Sequence, residues 1–450
     1  MLSRTAPSHA VSLLLLAAIA CGGDGTSSSS PQAGPAGSSA GSRDSDTSGD
    51  AASTSASGDG GTTPTGAAGE HDSTFGQSGV LKSDYYALDV VAPPLAMGEN
   101  ARVYLGSYKQ NRRGVGSLSP QGVLEPAAFL MPGSNWATDF APTVLGVADS
   151  KLYVAATLPS QHRMAVARAA GGAFDTTFGT DGLALIPEPK EPFAGHWGTV
   201  PADLAVHDGY TYALLAFVSN TPDKYAFGVA RLTPQGAPDS TFGTSGVSVI
   251  DTSPNMTSVF KLRVDDGGRI YVAASTTGAG PRVVRLTQSG GLDTTYGGGG
   301  FSDPALGSGG MHGFELDAVG RVHLATTRNG QAIAARLNES GNLDPTFGAG
   351  GVATSGMSGS KGRGLVVTPD GKVVLGCIVT GATDDLGLVR FDDKGSLDAS
   401  FGSGGSVVLE RPGDQQLIAG AMLYDPQGRV VVVSESHEAK VERWIERFWL

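Results

Sequence analysis

Cysteine is almost absent: Cys21 and Cys377 are the only two in 450 residues, which excludes a disulfide-built scaffold and leaves stability to an apolar core. Positive charge is scarce too. The 31 Lys and Arg are outnumbered by 43 Asp and Glu, and the net charge of −12 argues against nucleic acid and anionic headgroups as partners, since both are bound through basic patches. Beyond the N-terminus no apolar run has the length of a spanning helix. The 8 histidines are scattered, and His437-Glu438 has Val441 where a zinc-protease motif needs its second histidine. A phosphate-binding Gly-Lys-Ser/Thr loop is missing, as is a Gly-x-Ser-x-Gly elbow with identifiable partners. No catalytic residue, metal site or cofactor is therefore expected.

The N-terminus carries a leader. Arg4 supplies the positive region, Val11 to Ala20 a short apolar stretch, and Ala18-Ile19-Ala20 the small and apolar residues before Cys21. This pattern resembles the bacterial lipobox, which implies removal of residues 1–20 and a diacylglycerol on Cys21. Gly22 stands where an inner-membrane retention aspartate would, so the expectation is an outer-membrane lipoprotein, periplasmic-facing or at the cell surface, whose one link to the membrane is this lipid. Residues 21–71 are mostly Ser, Gly, Ala, Thr, Asp and Pro. They lack the apolar surface to offset their ordering entropy and read as a disordered tether, with a reach of about 40 Å. With Cys21 lipidated, Cys377 has no partner; inside Val373-Val374-Leu375-Gly376-Cys377-Ile378-Val379 it reads as a small buried apolar residue.

What is abundant is repetition. The phrase Asp-Ser-Thr-Phe-Gly-Gln-Ser-Gly-Val begins at Asp72 and returns in variant form from Asp175, Asp239, Asp293, Asp344 and Asp398, with a worn copy, Leu124-Glu125-Pro126-Ala127-Ala128-Phe129, in the one wide gap. The spacing is about fifty to sixty residues. Between copies lie short β-branched runs, such as Ile270-Tyr271-Val272-Ala273-Ala274 and Arg282-Val283-Val284-Arg285-Leu286, separated by Asp-Gly, Gly-Gly and Pro turns. Nothing between them has a helical period.

Four short strands per repeat predict a β-propeller blade, and seven copies predict seven blades covering residues 72–450. The six acids are read as structural, each in an Asx turn, with the following glycine at positive φ. Phe75, Phe178, Phe242, Tyr296, Phe347 and Phe401 are expected between neighbouring blades. The ordered part starts with a fourth-type strand at Gly79–Ser83, whereas the C-terminus ends on a third-type strand, Ile445-Glu446-Arg447-Phe448 aligning with Leu388-Val389-Arg390-Phe391. The N-terminal strand is thus expected to complete the last blade and close the ring. Val441, Trp444, Ile445 and Phe448 also have helical spacing, but the register with earlier copies outweighs it.

The phrase Leu-Asp-x-Thr-Phe-Gly-x-x-Gly, with turns such as Pro369-Asp370-Gly371-Lys372 and strands such as Ala334-Ala335-Arg336-Leu337, resembles the delta-60 repeat of bacterial exported proteins. The resemblance implies a propeller, often on a lipoprotein, and implies no agreed activity.

In such a propeller the loops joining strands two to three and four to one share one face, and the signatures the other. The first group varies between blades and is the expected place for recognition. The longest interval, Asp175 to Asp239, carries an insertion at Pro187–Val200, where Phe193, His196 and Trp197 form a candidate binding loop for a sugar ring or a protein side chain, or else fold back as a cap. The leading expectation is a non-catalytic, envelope-anchored binding or scaffold protein with a protein or carbohydrate ligand. A channel hydrolase or lyase, for which His312 and Glu315 are the one suitable pair in a first strand, and a purely structural surface role remain open.

Overall fold

The computed structural model describes residues 66–83, 95–98, 100–109, 112–130, 141–158, 163–187, 200–218, 225–250, 256–276, 280–381, 384–410, 417–437 and 441–450. Among them every regular element is a strand, and the strands form seven antiparallel sheets. In chain order the first blade consists of Leu95–Met97, Val103–Lys109, Arg112–Leu118 and Leu124–Leu130. The second is Ala141–Ala148, Lys151–Leu158, Arg163–Ala170 and Leu183–Leu185, with Ala173–Phe174 as an extra two-residue strand. The third is Val200–His207, Tyr210–Val218, Tyr225–Leu232 and Val247–Ile250; the fourth is Met256–Val264, Ile270–Thr276, Gly280–Leu286 and Phe301–Ser302. The fifth is Gly313–Leu316, Val322–Arg328, Gln331–Leu337 and Val352–Thr354; the sixth is Ser360–Val367, Val373–Thr380, Asp384–Phe391 and Ser406–Leu409.

The seventh blade takes Leu417–Asp425, Arg429–His437 and Val441–Trp449 from the C-terminus and Val80–Ser83 from the N-terminus. Val80 pairs with Glu446 and Ser83 with Arg443, so the ring closes as the sequence predicts. The helical spacing within Val441–Trp449 is a coincidence of apolar residues in a strand buried on both faces: Arg443 to Trp449 are all buried. A strand between two blades needs apolar or paired side chains at odd and even positions alike, which masks the period-two pattern.

First strands contact one another in a closed cycle around the ring, which makes them the innermost layer. The apolar core is divided accordingly. Seven clusters lie one at each blade interface, and the closing interface, with Phe75, Val103, Leu105, Leu118, Val431, Val433 and Ile445, is built like the others. The six signature aromatics are fully buried within such clusters.

Candidate functional site

The signature turns out to be half of an inter-blade clasp. Its other half is an arginine on the third strand of the same blade: Arg168, Arg231, Arg285, Arg336, Arg390 and Arg447. In five clasps the arginine Nε donates to Oδ2 of the signature acid at 2.7–2.8 Å: Asp175, Asp239, Asp293, Asp344 and Asp72. In the sixth, Arg390 and Asp398 are 2.9 Å apart as an ion pair but too misaligned for a hydrogen bond. In the other five, Nη1 donates across the interface to a backbone carbonyl of the next blade, as Arg231 does to Gln288 and Arg336 to Asp393, both at 2.6 Å. Each guanidinium stacks on the signature aromatic with its carbon 4.4–4.9 Å from the ring centre.

The remaining atoms of the phrase are also engaged. Oδ1 of each acid accepts the N–H two residues on, closing the Asx turn, as Thr74 N does to Asp72 at 3.0 Å. The signature glycine donates its N–H to the next blade, for example Gly348 to Lys394 O at 2.7 Å. A side chain could not replace it: φ is +55° at Gly348 and an added Cβ would lie 2.2 Å from Val352 O. The arginine lies seven or eight residues before its acid within each continuous blade, a recurrence as regular as the acid's own.

At the ring closure the clasp is split between the chain ends. Asp72 takes Arg447 Nε and Arg429 Nη1, each at 2.8 Å. Residues 66–71, which composition groups with the tether, occupy the place of the turn between strands three and four. Gly402 N donates to Ala68 O at 2.8 Å, and Gly69 (φ +91°) packs on Gly402 as Gly395 packs on Gly348. The worn copy has no such clasp. Ser117 replaces the arginine and donates to Glu125 at 2.7 Å, and Arg102, just before the second strand, supplies the positive charge.

Burial works against the charged form of Asp72, but hydrogen bonds from Thr74 and the charges of Arg447 and Arg429 outweigh it and hold its carboxyl below the usual range. In Asp398 burial is likewise outweighed, by Ser400, Lys372 and Arg390, and its pKa falls to about 2. All six acids therefore serve the clasps. Cys377 is fully buried, and desolvation pushes its thiol up to about 12. Cys21, Phe193, His196 and Trp197 lie outside the described residues.

A different kind of polar group occupies the innermost strands. Arg263 of the fourth blade reaches both neighbours: Nη1 is 3.2 Å from Asp203 in the third, and Nε and Nη2 donate to Glu315 in the fifth at 2.8 and 2.5 Å. Asp203 also accepts the edge N–H of Leu262 at 2.8 Å. His312 does not join Glu315. Its neighbour is Arg363 of the sixth blade, and burial together with that positive charge lowers its pKa to about 4, leaving the imidazole neutral near pH 7. His312 is exposed, immediately before the innermost strand of the fifth blade. Among the described residues no group of three His, Cys, Asp or Glu could hold a metal ion. A shallow pocket of about 350 Å³ between the second and third blades is lined by clasp residues Arg168 and Thr177 with Lys151, Tyr153 and Gln235.

Residues 268–296 and 368–401 match the family described as "Domain of unknown function (DUF5122) beta-propeller", which supports a propeller family. No curated protein sequence matches the chain. Solved structures of similar shape include a virginiamycin B lyase from Staphylococcus aureus, 9% identical with a TM-score of 0.48 over 82% of this chain and 99% of that one. A puromycin hydrolase is 16% identical, with a TM-score of 0.48 over 84% of this chain and 54% of that one. YCF48 from Cyanidioschyzon merolae is 11% identical, with a TM-score of 0.44 over 82% and 98%.

Proposed function

We propose that the chain is a non-catalytic binding propeller, held at the cell envelope by a lipid on Cys21 and the tether, with a protein or carbohydrate ligand. One contrast carries this reading. The clasp recurs six times and is consumed in joining blades, whereas Asp203, Arg263, His312, Glu315 and Arg363 form a set that occurs once among the described residues, on or beside the innermost strands. Residues that recur serve the repeat; residues that occur once on the same rigid frame are free to serve a ligand. Recognition is favoured over proton transfer because Arg263 holds Glu315 through both oxygens and the fold does not bring Glu315 together with His312.

Two experiments test the proposal. A Cys21→Ala chain should move from the membrane fraction to the soluble one, and unchanged fractionation would sink the anchor. The mature chain, probed on a glycan array and by photo-crosslinking in intact envelopes, should find one saturable ligand that it releases unaltered; silence in both, or turnover of the ligand, would overturn the binding role.

A further inference from the structure

Arg363 carries a charge on an innermost strand that internal chemistry leaves unexplained. The clasp arginines have carboxylate partners, and so do Arg269, Arg321 and Arg429, at Asp265, Asp317 and Asp425, and Arg282 and Arg263, at Asp303 and Glu315. Arg363 is half-buried, its Nε is wholly buried without a hydrogen-bond partner, and no carboxylate pairs with it among the described residues. Asp384, at the start of the third strand of the same blade, acts on it only as a distant charge. A desolvated, unpaired cation costs stability, so the fold gains nothing from holding one there.

The surrounding chain fixes its position. Gly362 and Gly364 flank Arg363 at a β-bulge, where the register to the second strand slips between Gly362–Cys377 and Gly364–Gly376, and the extra residue is Arg363. Gly362 comes so close to the fifth blade that an added Cβ would lie 2.4 Å from Thr326 O. His312 occupies the matching place one blade back. It precedes Gly313–Leu316, its N–H bonds to Ala325 O at 3.0 Å, and Gly313 fits so tightly that its Cβ would be 2.8 Å from Leu365 N. One rigid strand, Val322–Arg328, holds both segments: Thr326 Oγ1 donates to Gly310 O at 2.8 Å, and Gly362 N donates to Thr327 Oγ1 at 3.1 Å. Arg363 and His312 are thus set side by side on adjacent innermost strands, each within a glycine-framed segment that cannot shift without breaking those contacts.

We propose that Arg363 and His312 form a subsite for a carboxylate group of the ligand, at the axis of the ring between the fifth and sixth blades. The guanidinium offers a two-toothed donor edge and the neutral imidazole a further N–H, an arrangement suited to a planar monoanion. One positive charge matches one carboxylate. A phosphate dianion would bring a second negative charge toward Glu315 and Asp384, so phosphate is the weaker ligand. The backbone that carries both donors is already fixed, so binding has only the two side chains to order.

This assignment rests on the binding role proposed above, and the test separates the two. Calorimetric titration of the mature chain with D-glucuronate, acetate, inorganic phosphate and D-glucose should show glucuronate and acetate binding, weaker phosphate binding, and none with glucose. Arg363→Met should weaken carboxylate binding by about tenfold or more, and His312→Phe by less. Because the Arg363 side chain bonds none of the described residues, its replacement should leave the melting temperature unchanged or raised, which distinguishes a lost ligand contact from a damaged fold. Carboxylate affinity unchanged in Arg363→Met, no detectable carboxylate binding by the wild type, or phosphate bound more tightly would each overturn the subsite. An envelope or glycan ligand that still binds Arg363→Met with wild-type affinity would remove the subsite while leaving the binding role intact.

Discussion

Replacing Asp72 by Asn should open the ring at its closure. The Oδ2 atom of Asp72 accepts from Arg447 Nε and Arg429 Nη1, each at 2.8 Å, and Oδ1 accepts from Thr74 N at 3.0 Å and Thr74 Oγ1 at 2.6 Å. Asparagine can keep the Thr74 bonds through its oxygen, but then turns an NH2 group toward two guanidinium groups. Arg447 is only 1% exposed and Arg429 5%, and of the two only Arg429 has another acid, Asp425. Breaking a buried pair from one side costs about 3–5 kcal/mol, and the closure should weaken by that amount. Trp444 and Trp449 lie in the last strand, so tryptophan fluorescence during urea unfolding follows the event directly. Asp370→Asn is the control: Asp370 also bonds a threonine, Thr368, but its side chain is 62% exposed, and the midpoint should hardly move. Asp72→Asn combined with Arg447→Met should recover part of the loss, because the stranded charge is gone. An Asp72→Asn midpoint equal to that of Asp370→Asn would refute the clasp as the closing device.

Four further outcomes follow from the geometry. The six signature acids have folded-state pKa values depressed below the ordinary value near 3.8, Asp398 to about 2, so their stabilisation is complete above about pH 4 and is lost as pH falls through the folded values toward pH 2; acid unfolding followed by circular dichroism should begin only below pH 4 for this group. Gly348→Ala should lose about 1–3 kcal/mol in urea unfolding, since φ of +55° and a Cβ 2.2 Å from Val352 O strain any side chain. His323, which bonds Asp317 at 3.1 Å and meets Phe347 edge-on, stands where the fourth blade has Tyr271 bonded to Asp265 at 3.2 Å; His323→Tyr should therefore change the melting temperature little, and His323→Ala should cost about 3 kcal/mol. Cys377 should resist thiol reagents in the native chain and react on denaturation, and rapid native labelling would contradict its burial.

The acid, the aromatic and the glycine of the repeat were legible because each recurs at a fixed place in a contiguous phrase. The partner arginine recurs just as faithfully, seven or eight residues upstream, and its role was hidden for a physical reason. It stands on a strand, where Arg285 or Arg336 looks like an ordinary polar position, and only the folded turn brings Nε to Oδ2. In the closing blade the two halves are Arg447 and Asp72, at opposite ends of the chain. The same break obscured where the propeller begins. A glycine precedes the acid by three residues at Gly236, Gly290, Gly341 and Gly395, and Gly69 stands in the same relation to Asp72, so the phrase extends back into the stretch whose composition suggests tether.

The inner-strand charges escaped sequence reading for the opposite reason, since they do not recur. Arg263 and Glu315 hold the same place in successive blades, opposite Tyr271 and His323, while Asp203 sits two residues earlier in the third blade; the residue types differ from blade to blade, so no recurring phrase marks them. His312 and Glu315, three residues apart and suggestive as a pair, diverge because residues an odd number apart along an extended chain face opposite ways, one toward Arg363 and the other toward Arg263. In a repeat protein, what the sequence displays most strongly is what holds the repeats together. Function has to be sought among the residues that break the pattern without a structural debt of their own, and in this ring Arg363 meets that condition: no partner among the described residues, a buried Nε, and a backbone built to keep it in place.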